Sequence, residues 1–187
     1  VFSLPISSRA LCLKLSIIAL PFILIYPSAK RWFKYPQFIL SICWGFAALI
    51  PWAASQASLA GGVPLIACYC ATMVWTFGFD TVYAMADKKD DESLGLYSSA
   101  LSLGEKAIEA VSISYAITSL LLGSAAIFSG TNWFFWPFWL VASFGMQREI
   151  WLLKNLKVSS PKFKSHFRNQ VRLGGLTLIG LIIGNIT

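Results

Sequence analysis

Six long apolar segments constrain the fold of this chain more than any other feature of its sequence. They cover Leu11–Tyr26, Phe38–Ala54, Val63–Phe79, Ala107–Phe128, Trp133–Gly145 (apolar on to Leu153 past two charges) and Leu173–Ile186. A helix needs about 20 apolar residues to cross a bilayer, and a backbone exposed to lipid must satisfy its own hydrogen bonds. Because the segments lack the two-residue alternation of a transmembrane barrel, the sequence predicts an all-α, polytopic transmembrane helix bundle.

The composition excludes an ordinary soluble domain. Of the 187 residues, 57% are hydrophobic and only 12% are charged, whereas soluble domains carry about a quarter charged residues. We therefore expect one membrane-embedded domain over residues 1–187. The cysteines at 12, 43, 68 and 70 lie in apolar stretches and predict small buried side chains, with neither disulfide nor metal site. The single His166 lies in a basic stretch and is predicted to face solvent or lipid headgroups.

Basic residues gather in three of the links between segments. All Lys and Arg except Arg9 and Lys14 fall after the first, third or fifth segment. Six helices in a serpentine path place those links on one side of the membrane, which the positive-inside rule makes cytoplasmic. The formal charge of +7 then reflects topology and contacts with anionic lipid. No separate soluble domain is present to bind nucleic acid, so we expect no such partner.

Acidic residues concentrate on the same predicted side, between Asp80 and Glu109. Asp87 and Asp91 are four residues apart, so on a helix they share one face. Two carboxylates repel each other there unless a cation lies between them. Mg²⁺ is typically held by one or two carboxylates together with phosphate oxygens. The spacing predicts either a diphosphate–Mg²⁺ site or a solvated acidic loop, and it does not decide between them.

A second motif, Tyr26-Pro-Ser-Ala-Lys30-Arg31, closes the first helix on that side. Lys30 can meet a diphosphate as a point charge, Arg31 can make a forked contact to phosphate or carboxylate, and Tyr26 offers a hydroxyl. Taken alone, an interfacial tyrosine followed by basic topology residues is the simpler interpretation. Together the two motifs offer charges complementary to a Mg²⁺-diphosphate, which assists departure of that leaving group.

These two stretches resemble the UbiA-type prenyltransferases. The first reads Tyr-Pro-x-x-Lys-Arg-(x)4-Pro-Gln from Tyr26 to Gln37. The second reads Asp-Thr-x-Tyr-Ala-Met-x-Asp-x-x-Asp-Asp from Asp80 and is followed by Gly95, Ser98, Ala100 and Gly104. The branch that prenylates 4-hydroxybenzoate is the most similar. Tyr97 and Lys88 depart from the family pattern, because relatives often carry a basic residue at the first position and Arg at the second.

The resemblance implies nine helices around a central cavity that opens to lipid. The six segments would be the last six of these nine. A first Asp-rich motif would then lie upstream of Val1, and we expect an N-terminally truncated chain with little or no activity by itself. In the family both Asp-rich motifs hold Mg²⁺ on the diphosphate. Asp87 and Asp91 match the second motif, and Tyr26 and Lys30 match the family's Tyr-x-x-x-Lys element.

The implied activity transfers a polyprenyl group from polyprenyl diphosphate to the ring of 4-hydroxybenzoate, in ubiquinone or plastoquinone-type quinone biosynthesis. Mg²⁺ on Asp87 and Asp91 would draw off diphosphate together with Lys30, and Lys88 would add a diphosphate contact. Arg31 is the candidate for the acceptor carboxylate. Asp80 is a candidate catalytic acid that orients the site or takes up a proton, although a structural role as a helix-end acid is equally open.

Two other functions remain open from the sequence. The acceptor could be another aromatic compound, such as homogentisate or a chlorophyll precursor, because these relatives share the diphosphate chemistry. The chain could also be a membrane transporter or a non-catalytic scaffold. A transporter would move substrate without dependence on Mg²⁺, and a scaffold would tolerate the loss of Asp87 and Asp91.

Overall fold

The structure is a computed structural model that describes residues 5–155 and 160–186. Helices make up most of these two ranges. The helices are α1 (Ile6–Ala29), α2 (Pro36–Gln56), α3 (Gly62–Ala86), α4 (Lys88–Ser93), α5 (Ser99–Leu103), α6 (Ala107–Phe128), α7 (Phe135–Asn155) and α8 (Ser160–Ile186). A 3-10 turn, Gly104–Lys106, joins α5 to α6. No strand occurs in these two ranges, which confirms the all-α prediction.

The six long helices contain the six apolar segments and extend beyond them into polar sequence. Helix α3 continues through Asp80 to Ala86. Helix α8 begins at Ser160, so the basic stretch around Arg168 and Arg172 is helical, although the sequence predicted a link there. Lys and Arg are good helix formers, and Pro161 falls in the first turn, where proline is tolerated. Hydropathy alone therefore ended α3 too early and began α8 too late, because both helices continue into polar sequence.

Four stretches of the described chain are long and apolar enough to cross a membrane: Ile6–Ala29, Pro36–Gln56, Gly62–Ala86 and Ser99–Phe128. Helices α7 and α8 have the length, but charged residues within them lower their hydropathy, such as Arg148 and Glu149 in α7. That the last two helices also span the bilayer stays a prediction.

The long helices pack mainly against their neighbours in the chain, and α3 also contacts α8. The final residues of α1, α3 and α7 and the first residues of α2, α6 and α8 consequently lie at one end of the bundle. The larger core cluster joins α3, α6, α7 and α8 through Val82, Val111, Tyr115, Met146 and Ile150, among others. A smaller cluster joins α1 and α2.

Close contact between α3 and α6 depends on Gly78. A Cβ atom added at this glycine would lie 2.7 Å from Cε1 of Tyr115, a side chain that is completely buried. Real Cβ atoms do not approach other atoms this closely, and the Tyr115 ring is locked in the core. The contact fixes the end of α3 that carries Asp80, two residues further on.

We expect Gly78→Ala to lower the free energy of unfolding by about 1–3 kcal/mol, because the added methyl group overpacks this contact. Gly175→Ala is the matched control, since a Cβ on this α8 glycine meets nothing within 4 Å. That substitution should be neutral or stabilise by about 0.4–1 kcal/mol. Thermal unfolding in detergent, followed by tryptophan fluorescence, measures both. Equal unfolding temperatures for the two variants would contradict the overpacking argument.

Candidate active site

The two motifs singled out in the sequence meet in space. Nζ of Lys30 donates to Oδ1 of Asp91 at 3.1 Å and lies 3.5 Å from Oδ2. Asp91 is buried, with 4% of its surface exposed, while the Lys30 side chain is 30% exposed. The carboxylate is therefore withdrawn from solvent and the ammonium group is reachable from outside. This ion pair joins the end of α1 to the link between α3 and α6.

Asp87 and Asp91 stand one helical turn apart, in the i, i+4 relation expected from the sequence. Asp87 ends α3 and precedes α4, and the backbone N–H of Asp91 donates to the Asp87 carbonyl at 2.8 Å. Their surroundings differ, because Asp87 is only half-buried. Asp91 faces Lys30, and Asp87 remains partly exposed.

Backbone hydrogen bonds hold the two links together around this pair. The N–H of Tyr97 donates to the Lys30 carbonyl at 2.6 Å. The Ser102 hydroxyl donates to the Lys34 carbonyl, also at 2.6 Å. Tyr97, where relatives often carry a basic residue, joins the two links through its main chain.

A buried polar framework lies beneath the links. Oε1 of Gln37 accepts from the backbone N–H of Ser99 at 2.7 Å, and the Ser99 hydroxyl is 2.8 Å from that of Thr81. All three residues are buried. Sequence reasoning missed Ser99 and included Gln37 and Thr81 only as motif letters. For Gln37, a polar residue between Pro36 and Phe38 was the available signal.

Asp80 and Tyr26 complete the cluster. Asp80 is half-buried in α3, close enough to Lys30 and Asp87 for their charges to interact. Tyr26 of α1 is similarly close to Asp80 and Asp91. The structure therefore brings together all five of these predicted site residues, three acids with one lysine and one phenol.

Arg31 and Lys88 lie at the surface beside this cluster. Each directly follows a cluster residue, Lys30 or Asp87, and each is exposed. Neither forms an ion pair with another residue in the described ranges. Their guanidinium and ammonium groups can therefore meet a ligand at the exposed edge of the cluster, which we call the mouth of the site.

The donor set suits a divalent cation that binds together with phosphate. Within residues 5–155 and 160–186, no three His, Cys, Asp or Glu side chains group closely enough to hold a metal ion. Asp87 and Asp91 supply two carboxylates one turn apart, and Mg²⁺ commonly takes one or two carboxylates with phosphate oxygens and water. The residues present thus fit Mg²⁺ in the presence of a diphosphate and do not form a closed protein cage.

An apolar cavity of about 290 Å³ lies next to the cluster, between α2, α3 and α6. Phe77 lines it, one helical turn before Asp80 on α3. The other lining residues are Phe38, Ser41, Met73, Val74, Ser114 and Ile117. A hydrocarbon chain can occupy such a cavity while its charged end stays with the acids and Lys30.

The prediction for His166 was wrong. The side chain is 1% exposed, its Nε2 lies 2.7 Å from the Tyr115 hydroxyl, and its Nδ1 lies 3.7 Å from Oε2 of Glu149. Because α8 begins at Ser160, this histidine falls on the face packed against α6 and α7. The cysteines are free, as predicted, but they are half-buried and not fully buried.

The comparisons with known proteins agree with this geometry. The profile of the UbiA prenyltransferase family matches residues 1–171. A 4-hydroxybenzoate solanesyltransferase of Synechocystis sp. is 38% identical over 175 residues, covering 91% of this chain and 58% of the relative. A 4-hydroxybenzoate octaprenyltransferase of Polynucleobacter necessarius is 34% identical with the same coverage. This chain thus spans less than two thirds of the curated relatives that it matches.

A solved structure from a study of digeranylgeranylglyceryl phosphate synthase in membranes has the same fold. It superposes with a TM-score of 0.73 and 16% identity, over 92% of this chain and 61% of the other. The family match covers most of the sequence, including both motifs that meet at the Lys30–Asp91 pair. The chain belongs to the UbiA prenyltransferase family.

Proposed function

We propose that this chain carries the diphosphate site of an enzyme that transfers a polyprenyl group from polyprenyl diphosphate to the ring of 4-hydroxybenzoate. The reaction belongs to ubiquinone or plastoquinone-type quinone biosynthesis. The Lys30–Asp91 contact carries the proposal, because it joins the lysine motif to the acidic motif. The names of the relatives from Synechocystis and Polynucleobacter support the acceptor.

Electrostatics assist departure of the diphosphate in this proposal. Asp87 and Asp91 would hold Mg²⁺, which would supply positive charge against the leaving diphosphate. Lys30 and Lys88 bind diphosphate oxygens as point charges, and the Tyr26 hydroxyl donates a hydrogen bond to them. The bond between the allylic carbon and oxygen breaks, and its electron pair leaves with the diphosphate.

The acceptor enters from the mouth of the site. Arg31 binds the carboxylate of 4-hydroxybenzoate through its planar fork. The ring carbon beside the phenol oxygen then bonds to the allylic carbon, and the hydrogen on this ring carbon leaves as a proton that passes to Asp80. The apolar cavity between α2, α3 and α6 receives the first part of the polyprenyl tail, and the remainder lies in lipid.

The proposed protein is a multi-pass integral membrane protein with its catalytic links on the cytoplasmic side. The basic residues at that end of the bundle support this orientation. We further propose that the 187 residues alone turn over little or no substrate. The described site offers only two closely spaced carboxylates to a metal ion, and the relatives are longer proteins.

Replacing Asp91 tests the proposed reaction. A chimera in which this chain replaces the matching part of the Synechocystis relative should form prenylated 4-hydroxybenzoate in a Mg²⁺-dependent manner in membranes. Asp91→Asn in this chimera should lower the rate by about 100-fold or more, since it removes transition-state electrostatics. Labelled 4-hydroxybenzoate and polyprenyl diphosphate provide the readout.

Asp90→Asn is the matched control, because the neighbouring Asp90 is exposed and makes no side-chain contact with Lys30. It should retain activity within about threefold, as surface changes usually have small effects. Equal losses in both variants would argue against a specific role for Asp91. Product from homogentisate but not from 4-hydroxybenzoate would change the acceptor. A fully active Asp91→Asn variant would remove Asp91 from the proposed site, and no product with any acceptor would favour a transporter or a scaffold.

The second prediction separates the two substrates at Arg31. In the chimera, Arg31→Gln should raise KM for 4-hydroxybenzoate by about tenfold, because a charge-assisted contact to its carboxylate is lost. KM for the polyprenyl diphosphate should change little. Lys34→Gln removes an equally exposed charge from the same link and should alter neither value. A parallel rise in both KM values would instead place Arg31 on the diphosphate.

A further inference from the structure

A cavity of about 210 Å³ with charged side chains in its lining lies between α7 and α8, apart from the residues of the proposed reaction. Its lining includes Arg148 and Glu149 from α7 and Asn169 and Arg172 from α8. The Arg148 side chain is 72% exposed, and Arg172 is also exposed. Two guanidinium groups from adjacent helices therefore border one opening.

The single carboxylate that lines this cavity, that of Glu149, already contacts other side chains of the protein. Oε1 of Glu149 accepts from Nδ2 of Asn169 at 3.0 Å and is 3.9 Å from the nearest Arg148 nitrogen. Its Oε2 faces the His166 ring at 3.7 Å, and the carboxylate is buried. Arg172 forms no ion pair within the described ranges. The cavity thus carries two positive charges against one negative charge.

Both arginines lie well inside their helices. At 1.5 Å per residue, Arg148 is about 10 Å from the end of α7 and Arg172 about 18 Å from the start of α8. Apolar side chains are exposed on the side of the cavity away from those ends, such as Phe144 on α7 and Leu178 on α8. Trp151 is exposed one turn beyond Arg148, on the other side. The two exposed guanidinium groups therefore adjoin exposed apolar surface.

We propose that this cavity binds the phosphodiester headgroup of an anionic phospholipid. The Arg148 and Arg172 forks match phosphate oxygens in geometry and charge, and the exposed apolar side chains below them match acyl chains. Basic pockets between transmembrane helices on the cytoplasmic side bind anionic headgroups in this manner. In a zwitterionic lipid the ammonium group would compete with the guanidinium groups for the negative charge of the phosphate. Anionic lipids are therefore preferred.

Thermal unfolding of the delipidated 187-residue chain in neutral detergent tests the proposal directly, since a ligand that binds only the folded state raises Tm. Dioleoylphosphatidylglycerol should raise Tm of the wild-type chain, whereas dioleoylphosphatidylcholine and inorganic phosphate should not. Arg148→Gln combined with Arg172→Gln should shift the half-maximal lipid concentration about tenfold upward, because two charge-assisted contacts are lost. This readout does not require transferase activity.

Two further variants keep the test specific. Lys89→Gln combined with Lys106→Gln removes the same charge from exposed positions at the same end of the bundle and should respond like wild type. Arg172→Lys keeps the charge but loses the fork, and it should fall between wild type and the double arginine variant. If the double arginine variant does not fold, Arg172→Lys decides the matter. An unchanged lipid response in the arginine variants, an equal loss in the lysine pair, or an equal Tm shift with inorganic phosphate would overturn the proposal.

Discussion

The rest of the site depends on one ion pair between a buried carboxylate and a partly exposed lysine. Removing Asp91 from water carries a desolvation cost, which Lys30 offsets only while the two links stay in register. The hydrogen bonds from Tyr97 and Ser102 to the backbone around Lys30 keep them so. Beneath these links, Gln37, Thr81 and Ser99 satisfy one another in an otherwise apolar interior. The ion pair and these buried hydrogen bonds together hold the end of α3 in place.

Much of the fold could be predicted from sequence because a bilayer permits few solutions. Hydropathy located all six long helices, and charge placed the links of one end together. The helix ends were missed where hydropathy and helix propensity differ. Asp80 continues α3, and the basic stretch near Arg168 continues α8, because helices extend past the hydrocarbon as long as no residue breaks them. The short helices α4 and α5 are too brief for any periodic signal.

The site could be predicted in part. Four-residue spacing indicated that Asp87 and Asp91 share a turn, and the family resemblance linked them to Tyr26 and Lys30. No periodicity could show that Lys30 contacts Asp91, 61 residues away, because that contact depends on helix packing. His166 illustrates the same limit. Its neighbours in sequence are basic, but its neighbours in space are Tyr115 and Glu149. Those contacts depend on which face of α8 packs against α6 and α7.

The nearest-neighbour order of the helices has a consequence for synthesis. Among the helices made before it, each long helix packs mainly on the one just before it, and the main exception is the return of α8 to α3. Domains and their parts assemble in order as the chain emerges from the ribosome. Everything that builds the Lys30–Asp91 pair lies before α6, so the site can close while α7 and α8 are still being translated. The last two helices then arrive against a surface already formed by α3 and α6, and they complete the core around Tyr115.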